Sequence, residues 1–300
     1  MADKRPKTAV FAYSEVGFVC LKELIFDGAD VAVVFTHRDD PGEGHWFGSV
    51  EELALAHDIL VRTDDKLNES SATLLRGLGV ELIWSFYYRA VIGPEILSIP
   101  RLGSYNMHGS LLPKYRGRAC VNWAIVNGEE TTGATLHAMT EYVDRGDIVD
   151  QEAVSIDIDD TSLSVSQKIA GAARAVLSRS YAAIESGAPN LTPQDETKAT
   201  KFGRRTPSDG LIDWDKSAAE IYNLVRALTH PFPGAFTVIG GKKTYIWRAR
   251  PIDLKRLESP NWRESGKIVS ETPLIFTTGD GLLEITSLQP DGEPERSLKI

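Results

Sequence analysis

Asn106 and His108 flank one methionine in the run Asn106-Met107-His108-Gly109-Ser110-Leu111-Leu112-Pro113, and a carboxylate, Asp144, follows in Tyr142-Val143-Asp144-Arg145-Gly146. On an extended segment, side chains two residues apart point to the same side, so the amide and the imidazole converge. A carboxylate arriving from a second loop can orient the imidazole or assist proton removal. The amide NH₂ is suited to hold an oxygen that turns negative in a tetrahedral intermediate. These three groups are equipped for acyl transfer without a covalent enzyme intermediate. Zinc is the obvious rival for a neighbouring His and Asp, but Asn is a poor ligand for it and no third ligand stands nearby, so no metal is expected. His37, His45, His57, His137 and His230 lack such company along the chain and read as surface or packing residues.

Such a trio needs a scaffold that presents strand ends to solvent. Residues 8–13, 30–37, 59–61 and 80–87 read as short buried strands, and 17–26, 51–57 and 72–78 as the helices between them. That alternation predicts a parallel sheet with helices on its faces, an α/β Rossmann-like domain. The first turn, Ser14-Glu15-Val16-Gly17, lacks the glycine triplet that admits a pyrophosphate, so no nicotinamide site is expected. Residues 134–140 and 148–156 have strand character, and 162–184 carries apolar residues at helical spacing. Gly, Pro and polar residues then break the pattern. The predicted division is a catalytic domain over 1–188, a linker over 189–206 and a β-rich domain over 207–300, which opens with a helix at 218–228. The short pieces 235–239, 244–248, 266–270, 274–278 and 282–288 suggest a small barrel.

The chain has 300 residues, 42% of them hydrophobic, which suits two domains with ordinary cores. No apolar run approaches the roughly 18 residues of a membrane span, and the basic segment 1–7 is not followed by a signal-peptide pattern. A formal charge of -9 disfavours nucleic acid, whose binding is dominated by phosphate neutralisation, yet leaves room for a small anion held by two or three basic residues. Cys20 and Cys120 cannot form a disulfide framework, which fits a reducing cytoplasm.

The run continues as Ser110-Leu111-Leu112-Pro113-Lys114-Tyr115-Arg116-Gly117, and with Asn106, His108 and Asp144 it resembles the 10-formyltetrahydrofolate-dependent formyltransferases. The likeness extends over Phe86-Tyr87-Tyr88-Arg89 and Phe202-Gly203-Arg204-Arg205-Thr206-Pro207, and spans roughly residues 8–288. Cys120 departs from it, standing where the family usually has Pro. The resemblance implies an OB-like C-terminal domain and 10-formyltetrahydrofolate as co-substrate. It also implies Asn106, His108 and Asp144 as catalytic residues, with Tyr88 and Ile92 walling the folate. Lys114, Arg116, Arg118, Arg204 and Arg205 are candidate substrate contacts, Arg116 mainly as a loop organiser.

Within the family, the features resemble members that formylate UDP-4-amino-4-deoxy-L-arabinose, in lipid A modification and polymyxin resistance. Members that act on methionyl-tRNA are the alternative. They carry a basic insertion after the second strand and a Gln-Arg pair, where this chain has the acidic stretch 38–46 and Asn122-Trp123. A nucleotide-linked amino sugar is therefore the expected acceptor, with no nucleic-acid partner. A non-catalytic folate or nucleotide-sugar binder is the alternative of another class, and binding alone does not call for the trio.

Overall fold

The apolar runs 8–13, 30–37 and 80–87 become neighbouring parallel strands. In this computed structural model the described residues are 5–38, 46–63, 66–252 and 264–298. Residues 39–45 of the acidic loop, His45 among them, lie outside them. The chain divides into two units, one formed by residues 1–120, 131–155 and 166–203, the other by 121–130, 156–165 and 204–300. The division falls at 203/204 rather than across 189–206, and two internal pieces join the second unit.

The elements run β1 (Lys7–Ala12), α1 (Ser14–Phe26), β2 (Asp30–Phe35), α2 (Val50–Leu55), β3 (Leu60–Arg62), α3 (Glu69–Leu78), β4 (Leu82–Phe86), α4 (Pro94–Leu97) and β5 (Ser104–His108). Then come β6 (Arg116–Gly117), α5 (Cys120–Val126), β7 (Thr131–Ala138), β8 (Ile148–Ser155), α6 (Ser162–Glu185) and β9 (Lys201–Phe202). Seven strands of the first unit form one sheet in the order β3-β2-β1-β4-β5-β7-β8. β3 through β5 run parallel, and β7 and β8 are antiparallel additions. Strand order reverses between β1 and β4, and ligands of open α/β sheets bind beyond the carboxyl ends at such a point.

The centre of this sheet is dry. All five residues of β4 are buried, Trp84 and Phe86 fully so, and Phe11 of β1, also fully buried, stacks on Phe35 of β2 with centroids 4.5 Å apart. Each such aromatic contributes about 1.5–3 kcal/mol by leaving water. Helix α3 starts at an Asn68/Ser71 capping box, which satisfies amides left open by the first turn. The segment expected to be a linker is ordered instead. It holds a 3-10 turn at Glu196–Lys198 and β9, which pairs in parallel with β6. Two-residue strands carry too little periodicity to be read from sequence.

The second unit contains α7 (Ala218–Leu228), opened by a Ser217/Glu220 capping box, and β10 (Ala235–Ile239), β11 (Lys242–Ile252), β12 (Ile268–Glu271), β13 (Leu274–Thr277), β14 (Leu282–Pro290) and β15 (Arg296–Ser297). The strands pair antiparallel in the order β10-β11-β14-β13-β12, with β15 on β14, the OB-like β domain expected. α7 buries Ile221, Val225 and Leu228 along one stripe. Buried Arg226 is spent internally, donating to the carbonyls of Asp157 and Asp160. Among the described residues, no helix is long and apolar enough to cross a membrane.

Candidate active site

β5 carries Asn106 and His108 on one face, and β7 lies antiparallel beside it, with Asn106 opposite His137 and His108 opposite Thr135. Four polar side chains therefore meet where β5 ends. Asp144 enters from the turn after β7, and its Oδ1 stands 3.6 Å from His108 Nδ1 and 3.7 Å from His137 Nε2. Its Oδ2 accepts a 2.8 Å bond from the Gly117 amide. Asp144, His108 and His137 are all buried, which strengthens the electrostatic interactions between them. Burial pushes the Asp144 carboxyl up, but the charge of His108, the His137 ring and the Gly117 N–H outweigh it, and the group is held well below the usual carboxylate range.

His108 Nε2 donates to the Tyr115 carbonyl at 2.8 Å, which fixes a proton on that nitrogen and turns Nδ1 toward Asp144. His137 Nδ1 donates to the carbonyl of Ala138 at 2.8 Å, so in its neutral form Nε2 accepts from the Asn106 amide, 3.1 Å away. An amide NH₂ has two hydrogens, and one remains for a ligand. His137, read above as a surface or packing residue, thus orients Asn106. Its signal in the sequence was Thr135-Leu136-His137, the same polar alternation as Asn106-Met107-His108, but pairing the two needs the register of β5 against β7.

The loop after β5 is held by groups that sequence reasoning did not single out. Thr135 Oγ1 donates to Ser110 O at 2.6 Å and accepts from Leu112 N, while Gln151 bonds both Leu112 O and Thr135. Gln194 donates to the carbonyls of Asp144 and Gly146. Tyr87, Tyr115, Ala119 and Asp144 all take left-handed backbone conformations, with φ of 58°, 59°, 54° and 58°. Strain of this kind is kept where the surroundings demand it, often at functional sites. Gly109 leaves space that a side chain would deny, since a Cβ there would sit 1.7 Å from the Tyr87 hydroxyl.

The remaining candidates separate. Arg116 is buried, and its guanidinium bonds Gln194 and Glu196, at 2.7 Å to each from Nη2, which ties the loops together. Ile92 belongs to the core around Phe11, Phe35 and Ile96, and Tyr88 packs against that core while stacking on His37 at 4.4 Å. Lys114 and Arg118 are exposed in the first unit. Arg204 and Arg205 belong to the second unit, where Arg205 lies over the Trp123 ring. No group of three or more His, Cys, Asp or Glu that could hold a metal occurs among the described residues.

An amide, two imidazoles and a carboxylate of lowered pKa gathered at a strand end of a Rossmann-like domain are groups suited to acyl transfer. The formyl transferase domain matches residues 19–180 and the formyl transferase C-terminal domain residues 204–299, and the chain belongs to the formyl transferase family. Among solved structures, it is similar to WlaRD, a sugar 3N-formyltransferase studied with dTDP and 5-N-formyl-THF, at 21% identity and a TM-score of 0.70, with 97% of this chain and 100% of that one covered. It is also similar to an N-formyltransferase from Helicobacter canadensis in complex with folinic acid and dTDP-3-aminofucose, at 20% identity and a TM-score of 0.72, covering 95% and 99%. HypX from Aquifex aeolicus, in complex with tetrahydrofolic acid, matches at 16% identity and a TM-score of 0.64, covering 98% of this chain and 46% of HypX. At these identities the likeness is one of fold.

Proposed function

We infer that the protein transfers the formyl group of 10-formyltetrahydrofolate to the amine of a nucleotide-linked amino sugar, and that the acceptor is UDP-4-amino-4-deoxy-L-arabinose. The observation that carries this is the convergence of Asn106, His108 and Asp144 at the end of β5 in a chain of the formyl transferase family. The fold neighbours, one described with dTDP and 5-N-formyl-THF and the other with folinic acid and dTDP-3-aminofucose, support the acceptor class. A charge of -9 speaks against a polyanionic acceptor such as tRNA. Two buried cysteines that form no disulfide suit a cytoplasmic setting.

In the mechanism, the sugar amine attacks the formyl carbon. The second N–H of Asn106 receives the developing oxyanion, in a site where a fixed donor costs no reorganisation. Neutral His108, its Nε2 proton committed to Tyr115, takes the amine proton on Nδ1 and returns it to the folate N10 as the C–N10 bond breaks. Asp144, with its lowered pKa, is a poor base. It acts as a fixed negative charge beside the proton that arrives on His108.

The deciding experiment offers the enzyme 10-formyltetrahydrofolate with UDP-4-amino-4-deoxy-L-arabinose, dTDP-linked 3- and 4-amino sugars, and methionyl-tRNA. Formamide on the UDP sugar is expected. Preference for a dTDP sugar would keep the reaction and replace the acceptor. Efficient formylation of methionyl-tRNA with a steep salt dependence would overturn the sugar reading. Binding of both ligands with no transfer to any acceptor would make the chain a binding module.

A further inference from the structure

The strand that presents His108 is paired to its end on one flank only. β5 pairs with β7 as far as His108↔Thr135, but with β4 only from Ile83↔Ser104 to Phe86↔Met107. Continued by one residue, the β4 register would set Tyr87 against His108. Tyr87 takes a φ of 58° instead, which turns its main chain out of the strand and ends the ladder. A tyrosine keeps that conformation only where its surroundings demand it. Its side chain reaches across to the segment it no longer pairs with. The Tyr87 hydroxyl lies against the Gly109 main chain, where a Cβ would fall 1.7 Å from it and 3.3 Å from the Cys120 sulfur. The same hydroxyl donates to the thiol of Cys120, the first residue of α5 and one in which this chain departs from its family's pattern. Burial, and then the neighbouring Cys120 and Cys20 thiols, push the phenol well above its usual range, so it stays a neutral donor.

We propose that Tyr87 is a positioning residue for formyl transfer, its hydroxyl wedged between Gly109 and the Cys120 thiol to fix the main chain from which the His108 imidazole projects. This rests on the reading of His108 as the group that moves the amine proton. The His108 ring donates to Tyr115 O and faces Asp144 at 3.6 Å, but those contacts aim the imidazole only as well as its Cα is placed. The ladder places it on the β7 side, and the strut from Tyr87 does so on the β4 side. A hydroxyl suits this task because it can press on a glycine and still be satisfied by sulfur, a soft acceptor. With that hydroxyl committed to Cys120, Tyr87 acts through Gly109 rather than on a ligand. Its loss therefore falls on kcat and not on KM.

Steady-state kinetics of Tyr87→Phe test the strut, with 10-formyltetrahydrofolate and the acceptor that the panel above selects, beside His108→Ala as the reference. Phe keeps the ring and removes only the hydroxyl. The kcat should fall by roughly 10- to 100-fold, the scale of a slightly misplaced catalytic group, with both KM values within about twofold and the melting temperature nearly unchanged. Cys120→Ala should show a smaller loss of the same kind, and Cys120→Ser, which restores an oxygen acceptor, should recover most of it. That pair answers the question even if Tyr87→Phe fails to fold. Gly109→Ala should cost more in wild type than in Tyr87→Phe, because the added Cβ and the hydroxyl compete for one place. An unchanged kcat in Tyr87→Phe, while His108→Ala is disabled, would overturn the strut and leave the reading of His108 standing. A rise in either KM at constant kcat would make Tyr87 a ligand contact, and a lower melting temperature at constant kcat would make it a packing residue; each overturns the strut. Near wild-type turnover in His108→Ala, or no transfer to any acceptor, would overturn both the strut and the reading beneath it.

Discussion

Asn106 and His137 stand opposite one another on β5 and β7, with the amide nitrogen 3.1 Å from the imidazole Nε2. The bond spends one amide hydrogen and aims the other. His137→Ala should therefore lower kcat by about 10- to 100-fold through misplacement of Asn106, the usual scale for a displaced catalytic group. His137→Gln, which retains an acceptor, should recover part of the loss. Stopped-flow or coupled assays at saturating substrates would show it, and an unchanged kcat in His137→Ala would remove His137 from the site.

Asn106→Ala and His108→Ala should each cut turnover by about 100-fold or more, with folate binding and melting temperature nearly unchanged. The double variant should lose far less than the product of the two, because the groups act on one transition state. Near wild-type turnover in either variant would show the trio misassigned.

Asp144 ties stability to acid pH. Its folded pKa is depressed, so its contribution is fully present above the unfolded carboxylate value, about 3.9, and is lost as pH falls below that toward the folded value. Acid titrations followed by circular dichroism should find wild type more stable than Asp144→Asn above about pH 4, with the gap closing below it. A gap independent of pH would mean that the carboxylate charge is not what holds the cluster. Over the neutral range no loss of activity should trace to Asp144 gaining a proton.

Gly117→Ala should damage the site from outside it. Gly117 has a φ of +100°, and a Cβ there would lie 2.2 Å from the Phe202 carbonyl. The strand pair β6·β9 and the amide that holds Asp144 shift together, so melting temperature and kcat should fall in parallel. A cost above about 1 kcal/mol is expected where left-handed glycine is replaced. Retained stability with lost activity would separate the two roles.

Arg116→Ala should act on stability. It removes a buried fork that spans Gln194 and Glu196 and ties the loops that carry them together. Thermal melts should register the loss, while UDP affinity of the folded fraction stays the same. Weaker UDP binding at an unchanged melting temperature would return Arg116 to the substrate.

The sequence by itself determined the long elements, because five or more residues of apolar alternation or helical spacing outweigh local ambiguity. The strands at 8–13, 30–37 and 80–87, the helix at 218–228 and the antiparallel C-terminal strands were all legible. So was the trio as a pattern, since Asn106 and His108 share a strand. The two-residue strands β6 and β9 were not, because two residues carry no period. Only the tertiary structure decided which polar residues meet. The register of β5 on β7 puts His137 against Asn106, and the 3-10 turn at Glu196–Lys198 consumes Arg116. Arg118 reaches Arg89 because the loops after β4 and β6 end side by side. Such contacts join residues 27 to 80 positions apart, and their energies arise only once the chain has been closed over those distances.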